Sequence, residues 1–132
     1  MQRPFLLSLL AVFALALFAR PTLALPPLSK QFLETYKKTK IFEAASKAKC
    51  NVCHYGKSKK NRNDYGKAVN EFFKKADYAE LKKEPDKLKA AIEKAFEKAE
   101  AKKSVSKETF AAKIKAGKLP GTAPAVTEEP KK

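Results

Sequence analysis

Apolar residues recur with helical spacing in two stretches of the chain. The first stretch consists of Tyr65, Ala68, Val69, Phe72, Phe73 and Ala76. The second has the same steps of three and four and consists of Leu88, Ala91, Ile92, Ala95, Phe96 and Ala99. This period places apolar side chains on one face of a helix. Each stretch therefore predicts one amphipathic helix.

Polar residues and a proline mark the starts of these two helices. Asn63 or Asp64 can cap the first, because a side-chain oxygen accepts a hydrogen bond from an amide that has no partner in the first turn. Pro85 suits the first turn of the second helix, and Glu84 and Asp86 place negative charge at the positive end of its dipole.

Two shorter helices are predicted on either side. Ser29 can cap a helix that runs on toward Phe42 and Ala45 and carries Phe32, Leu33 and Tyr36. Ser106 can cap a helix that carries Phe110 and Ile114, and Gly117 can close it in the left-handed conformation.

The fold class predicted for residues 25–119 is therefore all-α, with about four helices. Almost no alternating β-type pattern is found. Residues 120–132 contain prolines, small residues and charges but little that could be buried, which predicts a disordered tail. The apolar core is thin for the length of the domain, and such domains usually need a disulfide, a metal or a cofactor.

The N-terminus has the pattern of an export signal. Arg3 precedes an apolar run of 15 residues, 5–19, and small residues near Ala24 offer a cleavage site. Residues 1–24 are thus predicted to be a removed secretory signal. The alternative is a retained membrane anchor, but a spanning helix needs about 20 apolar residues. Arg20, between the run and the cleavage site, is atypical of a signal.

The formal net charge of +15 limits the choice of partners. Removal of residues 1–24 takes away Arg3 and Arg20 and leaves +13. Such a charge often indicates nucleic acid, but an exported protein does not meet it. Acidic proteins or anionic lipids are the expected partners outside the cytoplasm. The alternative is that the lysines only keep the protein in solution.

Both cysteines and the single histidine of the chain lie together in the segment CNVCH, as Cys50, Cys53 and His54. A redox disulfide of the CxxC type is one interpretation, although such motifs normally accompany a βαβ pattern. A zinc site is another, but structural zinc takes four ligands and this cluster supplies three. The third interpretation is covalent attachment of haem c, because the CxxCH spacing is that of c-type haem attachment.

The segments "CNVCH" and "GKSKKNRNDYGKAV" resemble those of small exported bacterial c-type cytochromes with a single haem. The resemblance covers residues 32 to about 120 in layout, and only the CNVCH motif is specific. It implies a cytochrome c-like helical domain around one haem. It also implies that Cys50 and Cys53 form thioethers with the haem and that His54 is the proximal iron ligand.

The second axial ligand is left open by the sequence. Such cytochromes usually place a methionine before a proline on the far side of the iron, where this chain has Leu119 before Pro120. Met1 is the only methionine and lies in the predicted signal. The iron could be open or bound by a partner's residue; the candidates within the chain are Lys57, Lys59, Lys60, Lys118 and Tyr65. Arg62 and Asn63 are further candidates, for bonds to a haem propionate.

The predicted function is one-electron transfer in the periplasm, with docking to an acidic redox partner through lysines. No separate catalytic constellation is recognised, so the protein is predicted not to be an enzyme. The first alternative is a haem module that binds gases or peroxide at an open distal site. The second is a basic exported protein without haem, held together by a Cys50–Cys53 disulfide.

Overall fold

The computed structural model describes residues 25–124, and this range folds into α-helices without any strand. The predicted signal, residues 1–24, and residues 125–132 of the predicted tail lie outside the described residues. The all-α prediction is confirmed for the described part. Its helices are α1 Pro26–Tyr36, α2 Phe42–Ala48, α3 Asp64–Phe72, α4 Lys75–Leu81, α5 Pro85–Glu100 and α6 Phe110–Lys115.

The starts of α3 and α5 agree with the capping residues in the sequence. The side chain of Asn63 accepts a hydrogen bond from the Gly66 amide at 2.8 Å. Pro85 occupies the first turn of α5, where its missing N–H leaves no bond unmade. Residues close in the sequence therefore determine where α3 and α5 begin.

The first apolar stretch forms two helices rather than one. The chain leaves the helical conformation at Phe73, which has φ −143° and ψ 112°, and α4 starts two residues later. The Lys74 amide donates to the Asp77 carboxylate at 2.7 Å and thereby caps the new helix. This break keeps Phe73 in the core, whereas Phe72 is 37% exposed.

The N-terminal helix differs from the prediction at both ends. It begins at Pro26, so Ser29 lies inside it and is not its cap. It ends at Tyr36, where the Thr39 hydroxyl donates to the Tyr36 carbonyl at 2.8 Å and competes with the helical bond. Ile41 is fully buried in the turn that follows, so this turn is anchored in the core.

The last helix is also capped differently. Thr109, rather than Ser106, accepts from the Ala112 amide at 3.2 Å. Gly117 closes this helix with φ 78°, which confirms the predicted left-handed conformation.

Four aromatic rings from four helices form the centre of the core. Phe32 of α1 meets Tyr65 of α3 and Phe96 of α5 edge to face, at centroid distances of 6.1 and 5.5 Å. Tyr65 meets Phe110 of α6 at 5.2 Å. Edge-to-face pairs add to the stability that comes from burial alone, so the aromatic residues hold α1, α3, α5 and α6 together.

The ordered contacts extend beyond the predicted domain end at residue 119. Pro120 is fully buried, and the Thr122 amide donates to the Asp64 carboxylate at 2.6 Å. Lys113, only 8% exposed, donates to the Pro120 carbonyl at 2.6 Å and to the Thr122 hydroxyl at 2.9 Å. The segment 120–122 is thus tied to the start of α3.

No helix within residues 25–124 is long and apolar enough to cross a membrane.

Candidate cofactor site

A short 3₁₀ helix, Lys49–Val52, carries the cysteine motif directly after α2. Lys49 redirects the chain with φ 51°, a value that residues with a side chain adopt at a cost. The amides of Cys53 and His54 both donate to the Cys50 carbonyl, at 3.2 and 3.1 Å. This turn keeps both thiols and the imidazole in one compact segment.

Both cysteines are free thiols in this conformation. Within residues 25–124, no cluster of three or more histidine, cysteine or carboxylate side chains is arranged to hold a metal ion. A carboxylate that would complete a zinc site beside Cys50, Cys53 and His54 is therefore not found in the described part of the chain.

His54 is oriented by the backbone of a neighbouring loop. Its Nδ1 lies 3.1 Å from the carbonyl oxygen of Asn61. Because a carbonyl only accepts, Nδ1 carries the hydrogen and Nε2 retains its lone pair. The Tyr55 amide donates to the same carbonyl at 3.2 Å, which holds the loop against the motif.

The imidazole is neutral at ordinary pH. Burial is the main cause that lowers the pKa of His54, and the positive charges of Arg62 and Lys59 lower it further. The bond to the Asn61 carbonyl acts in the opposite direction and is outweighed. A neutral imidazole is the form that binds metal ions.

The Cys53 thiol is protonated. Burial raises its pKa to about 12, with a further contribution from Cys50 and an opposing one from Arg62. Because thiolates are the nucleophiles, a buried thiol of this kind is a poor one and is unsuited to thiol–disulfide exchange.

Asn63, the residue that caps the start of α3, holds the cysteine motif against this helix. The Asn63 backbone amide donates to the Cys53 carbonyl at 3.0 Å, and its side-chain amide donates to the Val52 carbonyl at 3.0 Å. Because its side-chain oxygen also caps α3, Asn63 connects this helix to the cysteine motif through hydrogen bonds. Both ends of its side chain are used within the protein, so it is not arranged to bind a propionate.

Gly66 permits this close approach. A Cβ atom at this position would lie 2.1 Å from the carbonyl oxygen of Cys53. The glycine in the NDYG segment is therefore explained by the contact between α3 and the motif rather than by a turn.

A cavity of about 100 Å³ opens beside His54. Its walls combine apolar side chains from α1 and α3 with a cationic rim. The apolar part includes Leu25, Leu28, Val69 and Phe73, and the rim consists of Lys59, Arg62 and Lys75. Cys53 and His54 line the same cavity.

Sequence reasoning identified Cys53, His54, Lys59 and Arg62 but missed the walls from α1 and the cation at Lys75. The apolar period of α1 could have indicated Leu28. No signal in the sequence relates Lys75 to the motif, since its place in the wall of the cavity depends on the break after α3.

Of the candidate iron ligands, Lys59 lines the cavity, whereas Lys60 and the others do not. Lys57 and Lys118 are exposed and are not among the residues that line the cavity. The Lys59 ammonium, which is at the rim, donates to the Asn51 side chain at 2.7 Å. Leu119 packs against the core.

Tyr65 is fully buried among aromatic rings, and its hydroxyl has no hydrogen-bond partner in the part of the chain that the structure describes. Burial is the main cause that raises the pKa of Tyr65 well above its usual value, and the thiolate that Cys53 would form at high pH acts in the same direction. This residue is therefore a neutral phenol, not a tyrosinate.

The donor set fits haem c, whereas the enclosed space is smaller than the cofactor. Two free thiols, an imidazole with Nε2 available and cations for carboxylates are all present. Cofactor sites usually measure 300–1,000 Å³, and this cavity measures about 100 Å³. A porphyrin can bind here only if neighbouring side chains move.

Comparison of the chain with protein-family models, with curated proteins and with solved structures finds no match.

Proposed function

We propose that the protein is an exported c-type cytochrome that carries one haem and transfers single electrons. Cys50 and Cys53 are proposed to form the thioether bonds and His54 to bind the iron from one side. A single observation supports this most strongly. The hydrogen bond from His54 Nδ1 to the Asn61 carbonyl leaves Nε2 with its lone pair, and the adjacent Cys53 is a free thiol that lines the same cavity.

The residues around the motif have separate tasks in this proposal. The Asn61 carbonyl holds the ring orientation and makes the imidazole a stronger donor, as second-shell acceptors do at other metal sites. Asn63 and Gly66 hold the backbone of Cys53 against α3. The haem itself supplies the iron, whose oxidation state changes by one electron.

The cationic rim suggests where a partner would dock. Lys59, Arg62 and Lys75 are exposed and line the cavity beside His54. An acidic redox protein would be attracted to this rim, and salt would screen the attraction. Nucleic acid is not proposed as a partner, because the predicted export signal separates the protein from it.

The experiment is an optical spectrum of protein exported together with a c-type haem-attachment system. We expect a Soret band that survives acid–acetone extraction, since thioether bonds are not broken by it. A Cys50→Ala, Cys53→Ala double variant should lose the band on extraction. A His54→Ala variant should keep covalent haem with an altered iron spectrum. Wild-type protein without an extraction-resistant band would refute the proposal.

A second candidate function is binding of a small gas or peroxide at the iron. It is favoured by the walls of the cavity, where, within residues 25–124, no methionine and no histidine besides His54 line the space. Carbon monoxide should then shift the spectrum of the reduced protein. A reduced spectrum that carbon monoxide leaves unchanged would indicate a sixth ligand and would favour electron transfer alone.

A further inference from the structure

Gly121, in the middle of residues 120–122, lies against the side chain of Asn63. We call this segment the C-terminal strap. A Cβ atom on Gly121 would lie 2.0 Å from Asn63 Nδ2, 2.3 Å from its Cγ and 2.5 Å from its Oδ1. These three nearest atoms all belong to one side chain. The backbone of Gly121 therefore covers the amide group through which Asn63 bonds to the cysteine motif and caps α3.

The residues on either side of Gly121 are bonded to the rest of the protein. Before it, the Pro120 carbonyl accepts a hydrogen bond from the buried Lys113 ammonium at 2.6 Å. After it, the Thr122 amide donates to the Asp64 carboxylate at 2.6 Å. Pro120 is also fully buried. The C-terminal strap thus holds Gly121 in place at both ends.

The backbone of Asn63 belongs to the loop that orients His54. His54 forms an isolated antiparallel bridge with the residue between Asn61 and Asn63. On one side of this bridge, the Tyr55 amide donates to the Asn61 carbonyl at 3.2 Å. On the other side, the Asn63 amide donates to the Cys53 carbonyl at 3.0 Å. Because both bonds belong to one antiparallel pairing, a displacement of Asn63 shifts the Asn61 carbonyl relative to the motif.

The Asn61 carbonyl is the group that selects the tautomer of His54. It lies 3.1 Å from Nδ1, so this nitrogen carries the hydrogen and Nε2 keeps its lone pair. An acceptor of this kind fixes the ring of a metal-binding histidine and strengthens it as a ligand.

We propose that Gly121 is a positioning residue for His54. The C-terminal strap packs on Asn63, and Asn63 holds the loop whose carbonyl fixes the orientation and the tautomer of the imidazole. This inference rests on the proposed function in taking His54 as the iron ligand. It adds that a segment distant in the chain, which contacts the motif through Asn63, sets how that ligand is presented.

The test uses the haem-free protein, whose single histidine gives one imidazole signal. The tautomer ratio is read from the ring ¹⁵N chemical shifts by NMR at about pH 9, where the imidazole is neutral. The wild type should contain mainly the Nδ1–H form. In Gly121→Ala we expect the ratio of Nδ1–H to Nε2–H to fall about fivefold, which corresponds to the loss of one ordinary hydrogen bond.

A double-mutant cycle tests whether the effect passes through Asn63. Asn63→Ala removes the three atoms that a Cβ atom on Gly121 would meet. Gly121→Ala should therefore have no further effect on the tautomer ratio in the Asn63→Ala background. Ile92→Val is the control for lost stability, because it truncates a buried side chain of α5, outside the strap and the motif. It should leave the ratio unchanged.

A second variant keeps the test decisive if Gly121→Ala does not fold. Lys113→Met removes the donor to the Pro120 carbonyl and loosens the C-terminal strap without adding an atom next to Asn63. Its circular dichroism spectrum should remain helical, and its tautomer ratio should shift in the same direction.

An unchanged tautomer ratio in folded Gly121→Ala or folded Lys113→Met would overturn the positioning role, as would a wild type without an excess of Nδ1–H. An equal effect of Gly121→Ala in the wild-type and Asn63→Ala backgrounds would overturn the route through Asn63. The proposed function can fail separately. A shifted ratio together with no covalent haem in the exported wild type would retain the positioning role and reject the cytochrome. Covalent haem together with an unchanged ratio would do the reverse.

Discussion

Replacement of Gly66 by alanine should separate the cysteine motif from helix α3. A Cβ atom there would lie 2.1 Å from the Cys53 carbonyl oxygen and 2.9 Å from its carbonyl carbon. Since ordinary contacts begin at 3.4 Å, the helix and the motif must move apart by about 1.3 Å. Both partners are backbone, so no flexible side chain can absorb the clash.

The free-energy change combines opposing contributions. Overpacking costs about 1–3 kcal/mol, and each of the two bonds from Asn63 to the motif contributes about 0.5–1.5 kcal/mol if it is lost. Alanine restores about 1 kcal/mol through its higher helix propensity. We expect net destabilisation of about 2 kcal/mol, which corresponds to a decrease in Tm of about 10 °C for a domain of this size.

The assay is urea unfolding of the haem-free protein followed by circular dichroism. Lys67→Ala, at an exposed position one residue further along α3, is the control and should change stability by less than about 0.5 kcal/mol. If Gly66→Ala is as stable as the wild type or more so, helix propensity dominates. That result would contradict the close contact between Gly66 of α3 and the Cys53 carbonyl.

Three further predictions concern buried polar groups. Burial raises the pKa of Glu100 from 4.5 to about 7. Because the unfolded carboxyl ionises first, stability should fall as the pH rises between these values and level off above, and Glu100→Gln should abolish this dependence in urea unfolding. Lys113→Met should destabilise the protein by about 2 kcal/mol, since it leaves the Pro120 carbonyl without its donor; Lys115→Met on the exposed face of α6 should have little effect. Tyr65→Phe should leave thermal stability unchanged or increased, because the hydroxyl that it removes has no partner; a clear decrease in Tm would show that the hydroxyl is bonded.

Asp64 shows why one element of the fold could not be predicted. Although partial burial would raise its pKa, hydrogen bonds from Thr122, Ser104, Val105 and Tyr65 outweigh burial and lower it. The sequence predicts a disordered segment from residue 120 because that segment has few apolar residues. Pro120 and Thr122 nevertheless make polar contacts with Lys113 and Asp64, and the contact with Asp64 joins residues distant in the chain.

The helix boundaries also fall into two groups, those that the local sequence predicts and those that it does not. Asn63 and Gly117 act through hydrogen bonds to residues within a few positions, and Pro85 acts through its fixed backbone and missing N–H. The roles of all three were predicted correctly. Ser29 and Ser106 have the right chemistry for caps, but nearby Pro26 and Thr109 start the helices instead. Which of two neighbouring candidate residues starts a helix depends on which start allows the helix to bury its apolar face.

What the sequence determined by itself is local: an all-α fold with period 3.6, the main caps, and the grouping of Cys50, Cys53 and His54 in one segment. These depend on spacing along the chain. What only the tertiary structure decided depends on residues far apart. The Asn61 carbonyl selects the His54 tautomer, Gly66 allows α3 to touch Cys53, and the break after α3 keeps Phe73 buried in the core. Such contacts follow from how the helices pack, and no local pattern encodes them.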